Sequence, residues 1–398
     1  MYITVKDIPG SRTKEEQIRI ATNNMNLIDK LFAGVLDETE DIEPVLDIPT
    51  TTLVRTKTYI MDPDNRSYNK ITREQMLFFK QTINNLWNKH KDTIENEYIT
   101  FQIPKKTHGF RTISAPKDEL KEDQRKAADL LTDYLSILSH DSAWAYIRNR
   151  DVVGAMKEHV ANESRWYLKI DLHDFFGSCS TEFVTKQLLK IYPFCYYNQP
   201  AIQEAVNNLV KLGILNGSLP QGTPLSPVLT NLVMVEYDYK INKLLYQLTK
   251  DTNLMKQKYV YTRYADDIII SARNKFDYNI ILDALNELFK DTPLSINEEK
   301  TRFGSNAGRN WNLGVMCNKD NNITVGYKRK QEIKAATHNY MKDPDAWECK
   351  DLQWLLGQYS WIHNVEPEYY KHLIEYFNKK YNCNIIKKIT IQIKSLIN

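Results

Sequence analysis

No apolar run in this chain approaches the roughly 20 residues that a bilayer-spanning helix needs. The N-terminus, MYITVKDIPGSRTKEEQ, is polar from its first residues and offers no apolar signal core, so a cytoplasmic protein without a membrane partner is expected. Cysteine is sparse: Cys179, Cys195, Cys317, Cys349 and Cys383 are scattered, odd in number, and form no C-x-x-C pair. That argues against a disulfide framework and against a structural zinc site. Charge of one sign is also scarce. A net charge of +3 over 398 residues says little about nucleic acid by itself. Its distribution says more: residues 1–50 hold ten acids against five bases, whereas from residue 326 onward there are twelve Lys or Arg against eight acids. Such a polarity suits a C-terminal part lying on phosphates, and equally an ordinary solvated surface. No internal repeat or low-complexity tract interrupts the chain, whose length allows two or three packed subdomains.

Periodicity then orders the elements. Residues 12–35 and 71–97 read as amphipathic helices, separated by an irregular stretch with Pro44, Pro49 and Pro63. EYITFQIPKK and GFRTISAP read as two strands of a hairpin around the turn THG. A helix follows over 118–139, then a short apolar strand, WYLKI, that ends at Asp171. Residues 180–192 and 200–212 are predicted helical, and the loop NGSLPQGTPLSP leads into a helix over 228–247. Residues 258–273 read as strand, turn, strand with YADD at the turn, followed by a helix at 279–290 and strands at 309–315 and 323–327. Beyond Lys328 the chain is predicted helical, broken at Pro344 and Pro367. Strands and helices in this order imply an α+β core with helices on one face of a sheet.

The carboxylates carry the chemistry. A hairpin tip between the apolar runs YVY and III holds Asp266 and Asp267 rigidly, and two adjacent aspartates repel unless a cation neutralises them. Oxygen-only ligands suit Mg²⁺. Asp171, at the end of another apolar strand, is expensive there unless paired or metal-bound. If the two strands are neighbours, Asp171 and Asp266 can bridge two ions about 3.5–4 Å apart that clamp an in-line phosphoryl transfer. The bland alternative for YADD alone is a solvated turn.

LKIDLHDFF, LPQGTPLSP and YADD, in that order, resemble the successive palm motifs of reverse transcriptases, most of all the bacterial group of retron, group II intron and defence-associated enzymes. The resemblance spans about 103–382. It implies a right-hand polymerase fold of fingers, palm with antiparallel sheet, and helical thumb. Its expected parts are an N-terminal helical extension at 1–97, fingers with palm segments at 98–165 and 180–225, palm at 166–179 and 226–315, and thumb at 316–398. It also implies RNA-directed DNA polymerase activity with Asp171, Asp266 and Asp267 as metal ligands for two Mg²⁺ ions, Mn²⁺ being an acceptable substitute. The family's aromatic gate falls on Phe176, where a ring under the sugar excludes a 2′-hydroxyl; Phe175 is expected in the core, by alternation along extended chain. Gln221 and Gly222 match the nucleotide-contacting loop, Gly222 permitting close backbone approach; the competing reading is a turn before a helix capped near Ser226. Arg111 and one of the two lysines Lys105 and Lys106 on the hairpin are expected to grip the triphosphate, as a lysine and an arginine do in the family; a solvated hairpin lysine is the competing reading. Lys300 resembles a lysine that protonates the departing pyrophosphate, though a surface lysine reads equally well. Tyr264, Leu313 and Gly314 (the latter two in WNLGV, similar to a primer grip) and Gln358 and Tyr359 in a thumb-like segment are expected at the template–primer duplex. Trp361 reads as core, and His173, Asp174 and His108 are given no role.

Two rivals remain. An RNA-dependent RNA polymerase shares the metal chemistry but typically reads Gly-Asp-Asp; a catalytically retired palm would only bind RNA. Within the family, retron enzymes usually carry Asn-Ala-x-x-His and Val-Thr-Gly elements. Here NAGRN at 306–310 lacks the His and ITVG at 323–326 is only similar. The expectation is therefore a stand-alone, defence-associated enzyme that copies an RNA template into DNA from dNTPs together with a cognate non-coding RNA. A retron-type enzyme is the alternative, and an oligomer is left open.

Overall fold

A computed structural model describes residues 71–397 apart from 106–108, 138, 252–257 and 308–310. The helix expected at 12–35, and Lys106 and His108, lie outside these residues.

The first described helix, α1 (Arg73–His90), starts on a capping box in which Thr72 and Gln75 exchange side-chain and backbone bonds. It buries Met76, Phe79 and Ile83 and stops short of the predicted residue 97. At its end the His90 ring nitrogens lie 2.8 Å from Glu97, just before the next strand, and 3.0 Å from Asp123 in the next helix. Strands β1 (Tyr98–Pro104) and β2 (Phe110–Pro116) form the expected hairpin, exposed along most of its length. Helix α2 (Asp118–Asp129) passes into one π turn instead of continuing to 139. A helix absent from the sequence reading, α3 (Val152–Ala161), is capped by Asp151, whose carboxylate accepts from the Gly154 N–H at 2.7 Å.

Strand β3 (Trp166–Asp171) leads through helices α4 (Thr181–Leu188) and α5 (Pro200–Gly213) to α6 (Ser226–Val233) and α7 (Val235–Asp251). The single helix predicted at 228–247 is thus two, divided at Met234. Strands β4 (Tyr259–Tyr264) and β5 (Asp267–Ala272) form the YADD hairpin, followed by α8 (Tyr278–Phe289) and β6 (Arg302–Ser305). The sheet runs β4-β5-β3-β6, all antiparallel, so β3 inserts between the hairpin and β6.

Alternation sorts the side chains of this sheet. Leu168, Ile170, Ile268 and Ile270 face the larger core, which α1, α4, α5, α6 and α7 complete. The opposite face bears Tyr167, Ile269 and Ser271 at one end, where α3 covers them, and Asp171 and Asp267 at the other. A second core gathers Tyr167 and Ile269 with the C-terminal helices. Those helices are α9 (Tyr327–Lys342), α10 (Cys349–Val365), α11 (Pro367–Tyr381) and α12 (Ile385–Ile397), breaking at Pro344 and Pro367 as expected.

The strand predicted at 309–315 is instead a tight hairpin, β7 (Trp311–Asn312) and β8 (Val315–Cys317), joined to β9 (Ile323–Thr324). Leu313 (φ 54°) and Gly314 (φ 82°) make its two-residue turn, the backbone such hairpins require. Residues 325–327 leave the strand because the Glu366 carboxylate accepts from Thr324 Oγ1 and Val325 N–H at 2.9 Å, and Tyr327 already opens α9.

Candidate active site

Register places the aspartates together. Asp171 on β3 stands directly opposite Asp267 on β5, and the Leu172 N–H donates to the Asp266 carbonyl at 3.1 Å. Like charges directly opposed across a ladder destabilise it unless neutralised. Two lysines supply the opposite charge: Lys300 Nζ lies 2.8 Å from Asp171 Oδ1, and Lys169 Nζ lies 2.9 Å from Asp267 Oδ1. Lys300 reaches the site on a 3₁₀ turn, and the Asn297 N–H before that turn bonds the Asp171 carbonyl at 2.8 Å. The bond to Asp171 holds the Lys300 ammonium above its ordinary pKa, so it keeps its proton at neutral pH. Burial first, then the charges of Asp267 and Asp171, push the Asp266 carboxyl upward. As they stand, no group of three or more His, Cys, Asp or Glu among the described residues is gathered tightly enough to hold a metal ion.

The turn itself is strained. Ala265 has φ 58°, a left-handed conformation that costs a non-glycine residue about 1–3 kcal/mol and concentrates at functional sites. Tyr264 ends β4 opposite Asp267 and is half-buried. Edge residues brace β4 from outside: Arg263 N–H donates to the Ser142 carbonyl at 2.6 Å, and Trp144 N–H to the Arg263 carbonyl at 2.8 Å. This edge delivers Tyr146, half-exposed at 51% and left-handed at φ 61°, to the mouth of the site. Its phenol is raised by burial first, then by Asp266 and Tyr264, with Arg111 opposing.

Phe175 is buried and Phe176 half-buried, their rings edge-on at 5.8 Å. Alternation is not the reason, because residues 173–178 form a turn with Asp174 at φ 39° instead of extended chain. His173 and Asp174 are exposed. Arg111 is exposed on β2 opposite Ile103, and Lys105 is exposed where its N–H bonds the Gly109 carbonyl at 2.9 Å. The Gln221 carbonyl accepts from the Ser114 N–H at 2.9 Å, docking the loop on the hairpin. Gly222 has φ +107°, and a Cβ there would meet Ile113 Cγ2 at 2.6 Å. The close approach that requires this glycine is therefore the hairpin's own. Helix α6 begins where the competing reading put it, with Thr223 Oγ1 accepting from the Ser226 N–H at 3.2 Å.

The thumb-like segment needs a correction. Tyr359 is 1% exposed, and its hydroxyl is paired with Thr337 Oγ1 at 2.6 Å inside the C-terminal core, so it presents nothing to a duplex. Gln358 is half-buried, whereas His363 is exposed with its ring against Tyr370. Leu313 and Gly314 sit at the hairpin tip; a Cβ added at Gly314 would meet open space.

The sequence reading missed Lys169, Tyr146, Arg263 and Asp238. The last two are wholly buried ions, with Arg263 Nε and Nη2 each 2.8 Å from an Asp238 oxygen. Arg263 within YVYTRY carried the same signal as Asp171, a charge inside an apolar strand.

An antiparallel sheet flanked by helices, with acidic residues opposed across its central strands, defines a nucleotidyl-transferring polymerase of the right-hand fold. The chain belongs to the reverse transcriptase (RNA-dependent DNA polymerase) family, whose sequence profile matches residues 103–339. It is 26% identical to the retron Ec83 reverse transcriptase of Escherichia coli over 307 residues, covering 73% of this chain and 89% of that protein. It is 29% identical to the retron Ec73 reverse transcriptase of the same species over 290 residues, covering 71% and 86%. The retron Mx65 reverse transcriptase of Myxococcus xanthus is 28% identical over 260 residues, covering 62% and 57%. These relatives are retron enzymes although the two retron elements are not spelled out in this chain. The chain is an RNA-directed DNA polymerase, and its family works with divalent metal ions. No helix among the described residues is long and apolar enough to cross a membrane.

Proposed function

We propose that DNA synthesis on the RNA template takes place at the sheet end where Asp171, Asp266 and Asp267 meet. The observation that carries this reading is the register: Asp171 opposite Asp267, with Asp266 bonded through its carbonyl to the residue after Asp171. The donor set fits a hard cation. It consists of carboxylate oxygens alone, and the crowding that lifts Asp266 is relieved by positive charge. Asp171, Asp266 and Asp267 would hold two Mg²⁺ ions, or Mn²⁺ in their place. When bound, the ions lower the pKa of the primer 3′-hydroxyl and neutralise the pyrophosphate leaving group.

The chain's own groups do the rest. Lys300, protonated beside Asp171, offers a proton to the departing oxygen. Arg111, with Lys105 or Lys106, binds the triphosphate of the incoming dNTP, the arginine by forking two oxygens. Gln221 lies on the loop that the hairpin docks against, and Gly222 fixes that loop's shape. Phe176, the less buried of its pair, closes the space a ribose 2′-hydroxyl would need. Tyr264, Leu313, Gly314 and Gln358 face the template–primer. The fingers comprise 98–165 and 180–225 with palm segments, the palm 166–179 and 226–315, and the thumb 316–398, with 1–97 as an extension on the fingers.

Primer extension on an RNA template tests the reading. Wild type should use dNTPs and stop when EDTA removes the metal. Phe176→Ala should lower discrimination against ribonucleotides by about 10–100-fold. Unchanged discrimination would remove Phe176 from the site.

For the setting, the reading is an enzyme of the bacterial cytoplasm that works with a cognate non-coding RNA in antiphage defence; the alternative, which the retron relatives favour, is a retron-type enzyme that makes DNA linked to that RNA. Sequencing the nucleic acid that co-purifies with the full chain should return one RNA species joined to DNA copied from it. A random mixture of cellular RNA would speak for a general template-copying enzyme.

A further inference from the structure

Behind the 264–267 turn lies a charged cluster that solvent does not reach and that the chemistry above does not use. The Arg263 guanidinium forks onto Asp238 through Nε and Nη2, both at 2.8 Å. Its third nitrogen points forward: Nη1 donates to the Ala265 carbonyl at 3.1 Å and to Asn231 Oδ1 at 3.2 Å. Asn231 in turn donates to the Ala145 carbonyl at 2.8 Å. A buried guanidinium needs acceptors for its remaining N–H groups too, and what matters here is which acceptors it finds. Nη1 holds the backbone of the left-handed residue immediately before Asp266.

We propose that Arg263 is a positioning residue for nucleotidyl transfer: by bonding the Ala265 carbonyl it keeps that peptide left-handed and aims the Asp266 carboxylate at the reacting centre, while Asp238 holds the guanidinium in place. Ala265 is 6% exposed, so without this bond its carbonyl loses a charged donor in a place water hardly reaches. Relaxation of residue 265 towards a right-handed conformation would swing the peptide that bears Asp266. Displacements of about 1 Å at a reacting group are enough for a hundredfold loss of rate.

The proposal rests on Asp266 acting at the reacting centre, and the test separates the two ideas. Arg263→Met with Asp238→Leu removes both charges together and leaves no lone buried ion, a replacement that proteins commonly tolerate. The double variant should fold, lose kcat by about a hundredfold, and keep its KM for dNTPs within about threefold. Binding of Mn²⁺ to the enzyme without nucleotide, followed by the paramagnetic resonance of the free ion, should weaken by about tenfold, one decade of binding constant. A folded double variant with wild-type kcat and wild-type Mn²⁺ affinity overturns the proposal. Should it not fold, Arg263→Lys keeps the charge against Asp238 but not the fork. That variant should show the same kcat loss at unchanged KM; wild-type kcat, or failure of both variants to fold, overturns the positioning role. Asp266→Asn is run alongside. If it still makes DNA, the reading of the site fails; if it is inactive while the Arg263 variants match wild type, only the positioning role fails.

Discussion

The two ends of one sheet face treat polar groups in opposite ways. At the end covered by α3, His159 is wholly buried, with Nδ1 2.6 Å from Ser271 Oγ and Nε2 2.8 Å from Thr262 Oγ1. The Ser271 hydroxyl donates to Ser164 Oγ at 2.8 Å and so accepts from His159, which leaves the bonds satisfied without a net charge. At the open end, Asp171 and Asp267 oppose each other as like charges, and two lysines reach in from the side. Identical pleating thus yields a satisfied, neutral cluster where a helix lies over it and an electrostatically frustrated one where none does. Frustration at the open end is what a polymerase can use; satisfaction at the closed end is what the sheet needs in order to stay formed.

Substitutions should split along this line. Asp171→Asn should reduce primer extension by about a thousandfold or more while the melting temperature stays within a few degrees, because it removes one of two facing charges. If extension survives, the open end is not the reacting centre. His159→Leu should do the reverse. It strands the Thr262 hydroxyl and should lower stability by about 1–3 kcal/mol in denaturant unfolding, with kcat retained at temperatures where the protein is folded. A loss of kcat at full folding would erase the contrast.

Acid sharpens the same test. Burial lowers the His159 pKa from 6.5 to about 3. Between those values the unfolded chain takes up a proton that the folded one refuses. This contribution to stability is therefore complete above pH 6.5 and is lost as pH falls towards 3. Melting temperature against pH should fall more steeply on the acid side for wild type than for His159→Leu; parallel curves would mean that the ring is protonated in the fold. The smallest effect is expected in the C-terminal core. Tyr359→Phe should cost about 0.5–1.5 kcal/mol through the lost bond to Thr337 and leave affinity for template–primer unchanged. A clear drop in that affinity would return Tyr359 to the duplex.

What could be read from the residues follows from how local the cause is. Asp171, Asp266 and Asp267 were legible because each sits in a short motif whose cost demands an explanation, and the β3–β5 pairing followed from the need to bring them together. Helix α3 was not, since its buried Val153, Ala155 and Met156 offer a stripe that a short helix shares with irregular chain. The resemblance put Lys300 at the reacting centre, but its bond to Asp171, 129 positions away, and the reach of Lys169 to Asp267 depend on the folded sheet and were not readable. Tyr359 went astray for a related reason: a tyrosine in a helix reads alike whether its hydroxyl meets water, a nucleic acid or a threonine on another helix. Arg263 and Asp238 were within reach, had the argument made for Asp171 been applied to a cation.

The glycine at 222 has mechanical weight. A Cβ at this position would meet Ile113 Cγ2 at 2.6 Å, and the neighbouring Gln221 carbonyl is tethered to the Ser114 N–H, so loop and exposed hairpin are fastened to each other at one point. Any bulk added there would have to displace the loop or the hairpin that bears Lys105 and Arg111, so a residue without a side chain fixes how those two segments meet.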